Sequence, residues 1–258
     1  HKPCKIHAKI NKYIKNNEQI VCITCYDASF SKILNDLEVD IVLVGDSLGM
    51  VIKGEVNTHN VTIKEALYHT ACVAKYKKDF ILMADMPINS YDDPSLALIN
   101  AKKFIEEKVD IVKLEYQDNH EKAVKEIIKA NIPVCGHLGF LPQYATKKEE
   151  IKIYGKNKIE QDHILSQAKK LDSLGVSLIL LECVYPELSK IITDSVSVPV
   201  IGIGSGEMCN GQVQVLYDII GISNNPPRFS KDYLKGSDNI ASAIKNFYNY
   251  VKAIQYNK

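Results

Sequence analysis

Val109-Asp110-Ile111-Val112-Lys113-Leu114-Glu115 is the stretch on which the reading of this chain turns, because versions of it recur. Val39-Asp40-Ile41-Val42-Leu43-Val44-Gly45-Asp46 stands upstream, and Val176-Ser177-Leu178-Ile179-Leu180-Leu181-Glu182 downstream. Each copy follows a helix-like segment, runs apolar for several residues and ends on a carboxylate. Such short, nearly continuous apolar runs read as strands buried on both faces, the condition of a parallel sheet. Residues 20–24, 80–85, 134–138, 198–202 and 218–222 fit the same role and bring the expected strands to eight.

Amphipathic stretches at 62–78, 94–108, 120–130, 160–174 and 238–254 lie between the strands. Thr62 with Glu65 three residues on makes a capping-box start, and Gly175 is a suitable stop for the fourth stretch. Strands and helices alternate with no linker or low-complexity segment. A single α/β domain over residues 1–258, a TIM (β/α)8 barrel, is the economical expectation. A doubly wound sheet is the alternative, but the chain has no dinucleotide fingerprint to support it.

The length of 258 residues suits one such barrel, and 46% hydrophobic with 24% charged residues is ordinary globular composition. Thirty-two basic residues against 31 acidic leave a net charge of +1, which gives no electrostatic case for nucleic acid or a membrane surface. No apolar stretch approaches the ~18 residues that span a bilayer, and His1-Lys2-Pro3-Cys4 lacks the form of a signal peptide. Seven scattered cysteines, an odd number, fit a reducing cytoplasm. Arg228 is the single arginine, so an anionic substrate is not held by a cluster of bidentate guanidinium forks.

In a barrel of this kind the reactive groups come from the C-terminal ends of the strands. The residues expected there are Asp46, Asp85, Glu115, His137 and Glu182. Apolar strands that end repeatedly on carboxylates are costly as plain core, because clustered buried anions repel and lose hydration. A bound cation resolves that cost, and an all-oxygen donor set points to a hard ion, Mg²⁺ first. The plainer alternative is that each acid caps a helix N-terminus or starts a loop. Lys113 and Glu115 are two apart and share a strand face, so Lys113 points inward beneath Glu115. It then pairs with the acids or with a substrate carboxylate, or the two form a buried ion pair with no ligand role. Asp46-Ser47 adds backbone and hydroxyl donors. Glu182 follows a strongly apolar run, which raises its pKa toward a general base's range, and it is equally a fourth metal ligand by this reading.

Other signals are weaker. Cys22-Ile23-Thr24-Cys25 has the C-x-x-C form, but in a strand that separation puts the thiols on opposite faces, so both read as packing residues. Gly202-Ile203-Gly204-Ser205-Gly206 is neither a dinucleotide fingerprint nor a P-loop. Its glycines serve a phosphate or a close backbone approach. His59, His69 and His163 have no spacing that argues for ligation.

The chain resembles the ketopantoate hydroxymethyltransferase family. The resemblance is carried by Tyr26-Asp27-Ala28-Ser29-Phe30, Val44-Gly45-Asp46-Ser47-Leu48-Gly49-Met50, Tyr68-His69-Thr70, Ala84-Asp85-Met86-Pro87 and Val112-Lys113-Leu114-Glu115. It continues through Pro133-Val134-Cys135-Gly136-His137-Leu138-Gly139, Leu181-Glu182-Cys183-Val184 and Ile201-Gly202-Ile203-Gly204. It implies a barrel of the phosphoenolpyruvate/pyruvate-binding type, a Mg²⁺ cofactor and a homodecamer. It also implies transfer of a hydroxymethyl group from 5,10-methylenetetrahydrofolate to 3-methyl-2-oxobutanoate through a Mg²⁺-stabilised enolate, forming ketopantoate for pantothenate and coenzyme A. Asp46, Asp85 and Glu115 match the family's metal surroundings, and Asp46, Ser47, Asp85, Lys113 and His137 match positions that bind the oxo-acid. Glu182 matches the proton acceptor.

Departures from the family pattern fall at Tyr116-Gln117, Glu149-Glu150-Ile151, Asn210, Tyr217 and His59-Asn60, away from the expected metal and base. The rival readings are another Mg²⁺-dependent C–C lyase of the isocitrate lyase or phosphoenolpyruvate mutase type, and a non-catalytic barrel scaffold.

Overall fold

A computed structural model describes residues 5–147 and 150–255; Glu149, among the departures just named, lies outside them. Eight parallel strands close into a barrel in sequence order: β1 (Ile20–Thr24), β2 (Ile41–Val44), β3 (Ile81–Asp85), β4 (Ile111–Glu115), β5 (Val134–Gly139), β6 (Leu178–Glu182), β7 (Val200–Ile203) and β8 (Gly211–Gln214). The three recurrent segments are β2, β4 and β6, and their carboxylates stand at the C-terminal ends as expected.

Around the barrel lie α2 (Ala28–Asp36), α3 (Leu48–Val51), α4 (Ile63–Ala74), α5 (Pro94–Glu106), α6 (Glu121–Lys129), α7 (Lys158–Leu174), α8 (Pro186–Ser195), α9 (Leu216–Ile219) and α10 (Ile240–Ala253); α1 (Lys5–Lys15) precedes β1. Their starts are chemically marked. Thr62 and Glu65 form the expected capping box on α4, Asp93 caps α5 ahead of Pro94, and Asn157 and Asn239 cap α7 and α10. Gly175 ends α7 at φ 87, where a side chain would be strained.

The two-residue period divides the core into two layers. Ile41, Leu43, Ile81, Met83, Ile111, Leu178 and Leu180 point inward and fill the barrel, while Val42, Leu82, Val112, Leu114, Ile179 and Leu181 pack outward beneath the helices. Cys22 belongs to the inner layer and Cys25 to the outer, so the C-x-x-C pair is split across the wall. The far end is plugged by α1, whose fully buried Ile10 joins the inner layer and contributes about 1.5–3 kcal/mol by burial. Beside it Lys252 of α10 donates to Asp40 Oδ2 at 2.7 Å and to the Gln19 carbonyl at 2.7 Å. The Val21 N–H donates to the same Asp40 carboxylate at 2.8 Å.

The last strand differs from expectation. Residues 218–222 are not a strand; they overlap the short helix α9, with Ile219 and Ile220 packed in the outer layer. The strand is Gly211-Gln212-Val213-Gln214, where alternate residues are buried and half-buried. Glutamines on the outer parity hid it from a search for continuous apolar runs. Gly211 is required there, because a Cβ would lie 2.4 Å from the Ile20 carbonyl oxygen of β1.

Candidate active site

Inward parity and register together assemble the site. Asp85 is the Cα partner of Lys113 across β3 and β4, Glu115 that of His137 across β4 and β5, and Gly139 that of Glu182 across β5 and β6. Asp46 follows β2, and its main-chain N–H donates to Asp85 Oδ2 at 2.9 Å. Asp46, Asp85, Glu115, Lys113 and His137 are all buried, and the Glu182 side chain retains 19% exposure. The structure thus gathers every site residue expected from the sequence at one end of the barrel.

The cation sits low in this cluster. Lys113 Nζ lies 2.5 Å from Asp85 Oδ1 and donates to His137 Nδ1 at 3.4 Å. Burial works against its charge, but Asp85, Asp46 and Glu115 hold its pKa above the ordinary lysine value. One ammonium does not balance four acids. Burial and the Asp85 charge push Asp46 up to about 7, and burial with the Asp46 charge drives Glu115 well above the usual carboxylate range. Burial pushes Glu182 up to about 7 as well. Burial and the neighbouring Lys113 depress His137, so its ring is neutral. The ring accepts from Lys113 at Nδ1, which puts its proton on Nε2, 3.2 Å from Glu182 Oε2.

Backbone strain is stored beside Glu182. Cys183 has φ 51, a left-handed conformation that costs a non-glycine residue about 1–2 kcal/mol. Bonds on either side hold it: its N–H donates to the Ile203 carbonyl at 2.9 Å, and its own carbonyl accepts from Tyr154 N–H at 2.8 Å. Opposite, Gly139 (φ 93) admits no side chain, since a Cβ would lie 2.3 Å from the Glu182 carbonyl. That approach lets the Phe140 N–H reach the Glu182 carbonyl at 2.8 Å.

Ser47 lies on the rim, where its Oγ bonds the Tyr26 hydroxyl at 2.7 Å; that hydroxyl also lies 2.9 Å from Thr24 Oγ1. Tyr217, one of the departures, stacks on Tyr26 with centroids 5.6 Å apart. Asn210, another, ties three strands: its side chain accepts from Val200 N–H at 2.9 Å and its carbonyl from Ile20 N–H at 2.9 Å. The histidines set aside above do structural work or lie outside, with His69 Nδ1 2.7 Å from the Tyr26 carbonyl, His59 Nε2 3.0 Å from the Pro142 carbonyl and His163 exposed. The glycines after β7 serve close packing, since a Cβ on Gly204 would meet the Phe229 ring at 2.6 Å and one on Gly206 would meet Pro186 at 2.8 Å.

Sequence reasoning missed Gln143, which bonds both Asp46 and Glu115, and the buried Tyr91 and His120 behind it. The available signal was position: Pro142-Gln143 follows β5 directly, in the class of loop that carries function in these barrels.

The donors suit a hard divalent cation. The buried Asp85 Oδ1 is met, among the described residues, by the Lys113 ion pair alone, and neighbouring Asp46 and Glu115 are destabilised as anions. Among the described residues no three acidic, His or Cys side chains form a ready-made metal cage. Mg²⁺ does not ask for one, since it commonly takes one or two carboxylates and completes its shell with water and substrate oxygens.

A closed parallel barrel with charged groups at its C-terminal mouth defines the class: a TIM (β/α)8 barrel with its site at the C-terminal ends of the strands. Solved structures of 2,3-dimethylmalate lyase, a phosphoenolpyruvate mutase/isocitrate lyase superfamily member, and of phosphonopyruvate hydrolase in complex with oxalate and Mg²⁺ share this fold. Each gives a TM-score of 0.63 over 81% of this chain and 80% of its own, at 12% and 9% identity respectively. The sequence places the chain more narrowly. The pattern of the ketopantoate hydroxymethyltransferase family matches residues 5–258. The 3-methyl-2-oxobutanoate hydroxymethyltransferase of Ruthia magnifica is 41% identical over 94% of both chains. That of Pyrobaculum aerophilum is 39% identical over 96% of this chain and 95% of its own. The chain belongs to the ketopantoate hydroxymethyltransferase family.

Proposed function

We propose that the protein transfers the one-carbon unit of 5,10-methylenetetrahydrofolate to C3 of 3-methyl-2-oxobutanoate. Water is consumed, and tetrahydrofolate and 2-dehydropantoate (ketopantoate) are released for pantothenate and coenzyme A synthesis. The observation that carries this reading is Glu182: a carboxylate raised to about 7, with 19% of its side chain exposed, at the same end of the barrel as Asp46, Asp85 and Lys113.

Asp46, Asp85 and Glu115 would hold Mg²⁺, directly or through water, and Ser47 would bond the oxo-acid. Bound there, Mg²⁺ would supply Lewis acidity to the 2-oxo group. Lys113 offers a fixed positive charge to the substrate carboxylate, the part an arginine fork plays elsewhere. Glu182 takes the C3 proton, and the carbon so freed attacks the methylene carbon of the folate. His137 contributes a neutral N–H beside Glu182 and the oxo-acid. Its ring stands between Lys113 and Glu182, so the base has no cation in direct contact and burial outweighs the pull of the lysine charge.

The lyases that share the fold are the rival, and dependence on folate separates them from this reading. A cytoplasmic homodecamer belongs to the same proposal. Val56, Ile99 and Ile159, apolar and 91%, 54% and 83% exposed, are side chains that neighbouring subunits would cover.

The deciding experiment follows the C3 proton of 3-methyl-2-oxobutanoate by NMR in D₂O with protein and Mg²⁺. Exchange that requires Mg²⁺ and vanishes in Glu182→Gln supports the reading. If exchange is absent both without folate and with tetrahydrofolate, the assignment is rejected.

A further inference from the structure

The loop after β5 delivers Gln143 among the site carboxylates with 2% of its surface exposed. Its side-chain amide is fully engaged. Nε2 donates to Asp46 Oδ2 at 2.8 Å and to the Met86 carbonyl at 3.0 Å, and Oε1 accepts from the Tyr91 hydroxyl. Its main-chain N–H donates to Glu115 Oε2 at 3.0 Å. These partners fix the orientation of the amide, because a flipped one would set its oxygen against a carboxylate and a carbonyl.

The line continues outward. The Tyr91 hydroxyl gives its proton to Gln143 and accepts from the Tyr144 hydroxyl at 3.3 Å. Tyr144 in turn lies 3.3 Å from His120 Nε2. His120 Nδ1 accepts the Gln117 N–H at 3.0 Å, which leaves the ring proton on Nε2. That nitrogen lies 3.5 Å from Asp92, whose side chain is 51% exposed. From Tyr144 inward the donors therefore run head to tail, through Tyr91 and Gln143 to Asp46. Bonds aligned head to tail polarise and strengthen one another.

We propose that Gln143 is a positioning residue for the cation-binding carboxylates and that Tyr91 and Tyr144 act on them only through it. It ties down Oδ2 of Asp46, which leaves Oδ1 for a ligand, and braces Glu115 with its main chain. The proposal rests on the divalent-cation site described under the proposed function. It assigns the loop after β5 the task of setting cation affinity.

The test measures Mn²⁺ as a probe for that site, by electron paramagnetic resonance of the free ion, on the folded protein and without turnover. Gln143→Leu is expected to raise the Mn²⁺ dissociation constant about 10–100-fold, the usual effect of losing a partner that orients a metal ligand. Tyr91→Phe keeps the ring and loses only the hydroxyl, and is expected to weaken Mn²⁺ several-fold while the protein stays folded, with a modestly lowered melting temperature. The double variant Tyr91→Phe/Tyr144→Phe is expected to bind Mn²⁺ no more weakly than Tyr91→Phe alone, because Tyr144 acts through Tyr91. If Gln143→Leu fails to fold, the tyrosine variants decide. Unaltered Mn²⁺ affinity in Tyr91→Phe, or additive losses in the double variant, overturns the proposal and leaves the cation site standing. Absence of Mn²⁺ binding by the unsubstituted protein overturns both.

Discussion

His137 Nε2 stands 3.2 Å from Oε2 of Glu182, while Nδ1 of the same ring takes a hydrogen bond from Lys113. The imidazole thus separates the one buried lysine of the site from the proposed base. Without that spacer an ammonium beside Glu182 would hold the carboxylate ionised but weakly basic. With it, burial raises Glu182 to about 7, where a carboxylate is both partly ionised at neutral pH and basic enough to take a carbon-bound proton.

Proton exchange at C3 of the oxo-acid is expected to follow that ionisation. The base works only when deprotonated, so the rate rises about tenfold per pH unit below the Glu182 pKa and levels off above it. Exchange rates measured across that range check this, and a flat profile excludes Glu182 as the titrating base.

Cation binding is expected to stabilise the protein more at higher pH. Asp46 moves from 3.8 to about 7 on folding, so the folded state holds the proton more tightly than the unfolded chain. The stability from this raised pKa is full below the unfolded value and is lost as pH climbs through the folded one. Mg²⁺ competes with those protons, so its gain in melting temperature is larger at pH 8 than at pH 6. Equal gains at both would contradict the assignment, and Asp85→Asn is expected to abolish the gain.

Lys113→Met is expected to destabilise the metal-free protein by ~3–5 kcal/mol near pH 8, the usual result of removing one partner from a buried ionic cluster. Asp85 is left without its ion pair and the other carboxylates lose their nearest positive charge. Near pH 5 Asp46, raised to about 7, is protonated, so the deficit shrinks. Urea unfolding at the two pH values measures the difference.

Tyr116→Phe is expected to leave stability unchanged or raise it by about 1 kcal/mol. The ring is 1% exposed on the outer side of β4, and its hydroxyl oxygen is buried with no hydrogen-bond partner. Removing that oxygen removes its desolvation cost and leaves the packing. A clear loss in a urea titration would show that the hydroxyl has a partner in solution.

The legible parts of the molecule were those written as repetition. The three apolar runs ending in acids are β2, β4 and β6, and the spacing of Lys113 and Glu115 placed both inside the barrel because strand parity is a local rule. β8 was illegible because its outward residues, Gln212 and Gln214, are half-buried and polar, so an apolar-run criterion passes over it. Gln143 was illegible for a different reason. A glutamine in a loop carries no periodicity, and its worth comes from Tyr91, Asp46 and Glu115, three partners brought in from other strands and loops. Register, which decides that Glu115 faces His137, is likewise a property of strand pairs.

The seam where Gly211–Gln214 meets Ile20–Thr24 also sets an order of events in time. β1 is an early segment to leave the ribosome, and one of its two neighbours is the last strand of the barrel. Through most of synthesis one edge of an almost wholly apolar strand therefore stays bare, the condition in which strands recruit wrong partners. Closing the seam is the step that hides this edge, and the missing Cβ of Gly211 is what lets the two backbones meet there.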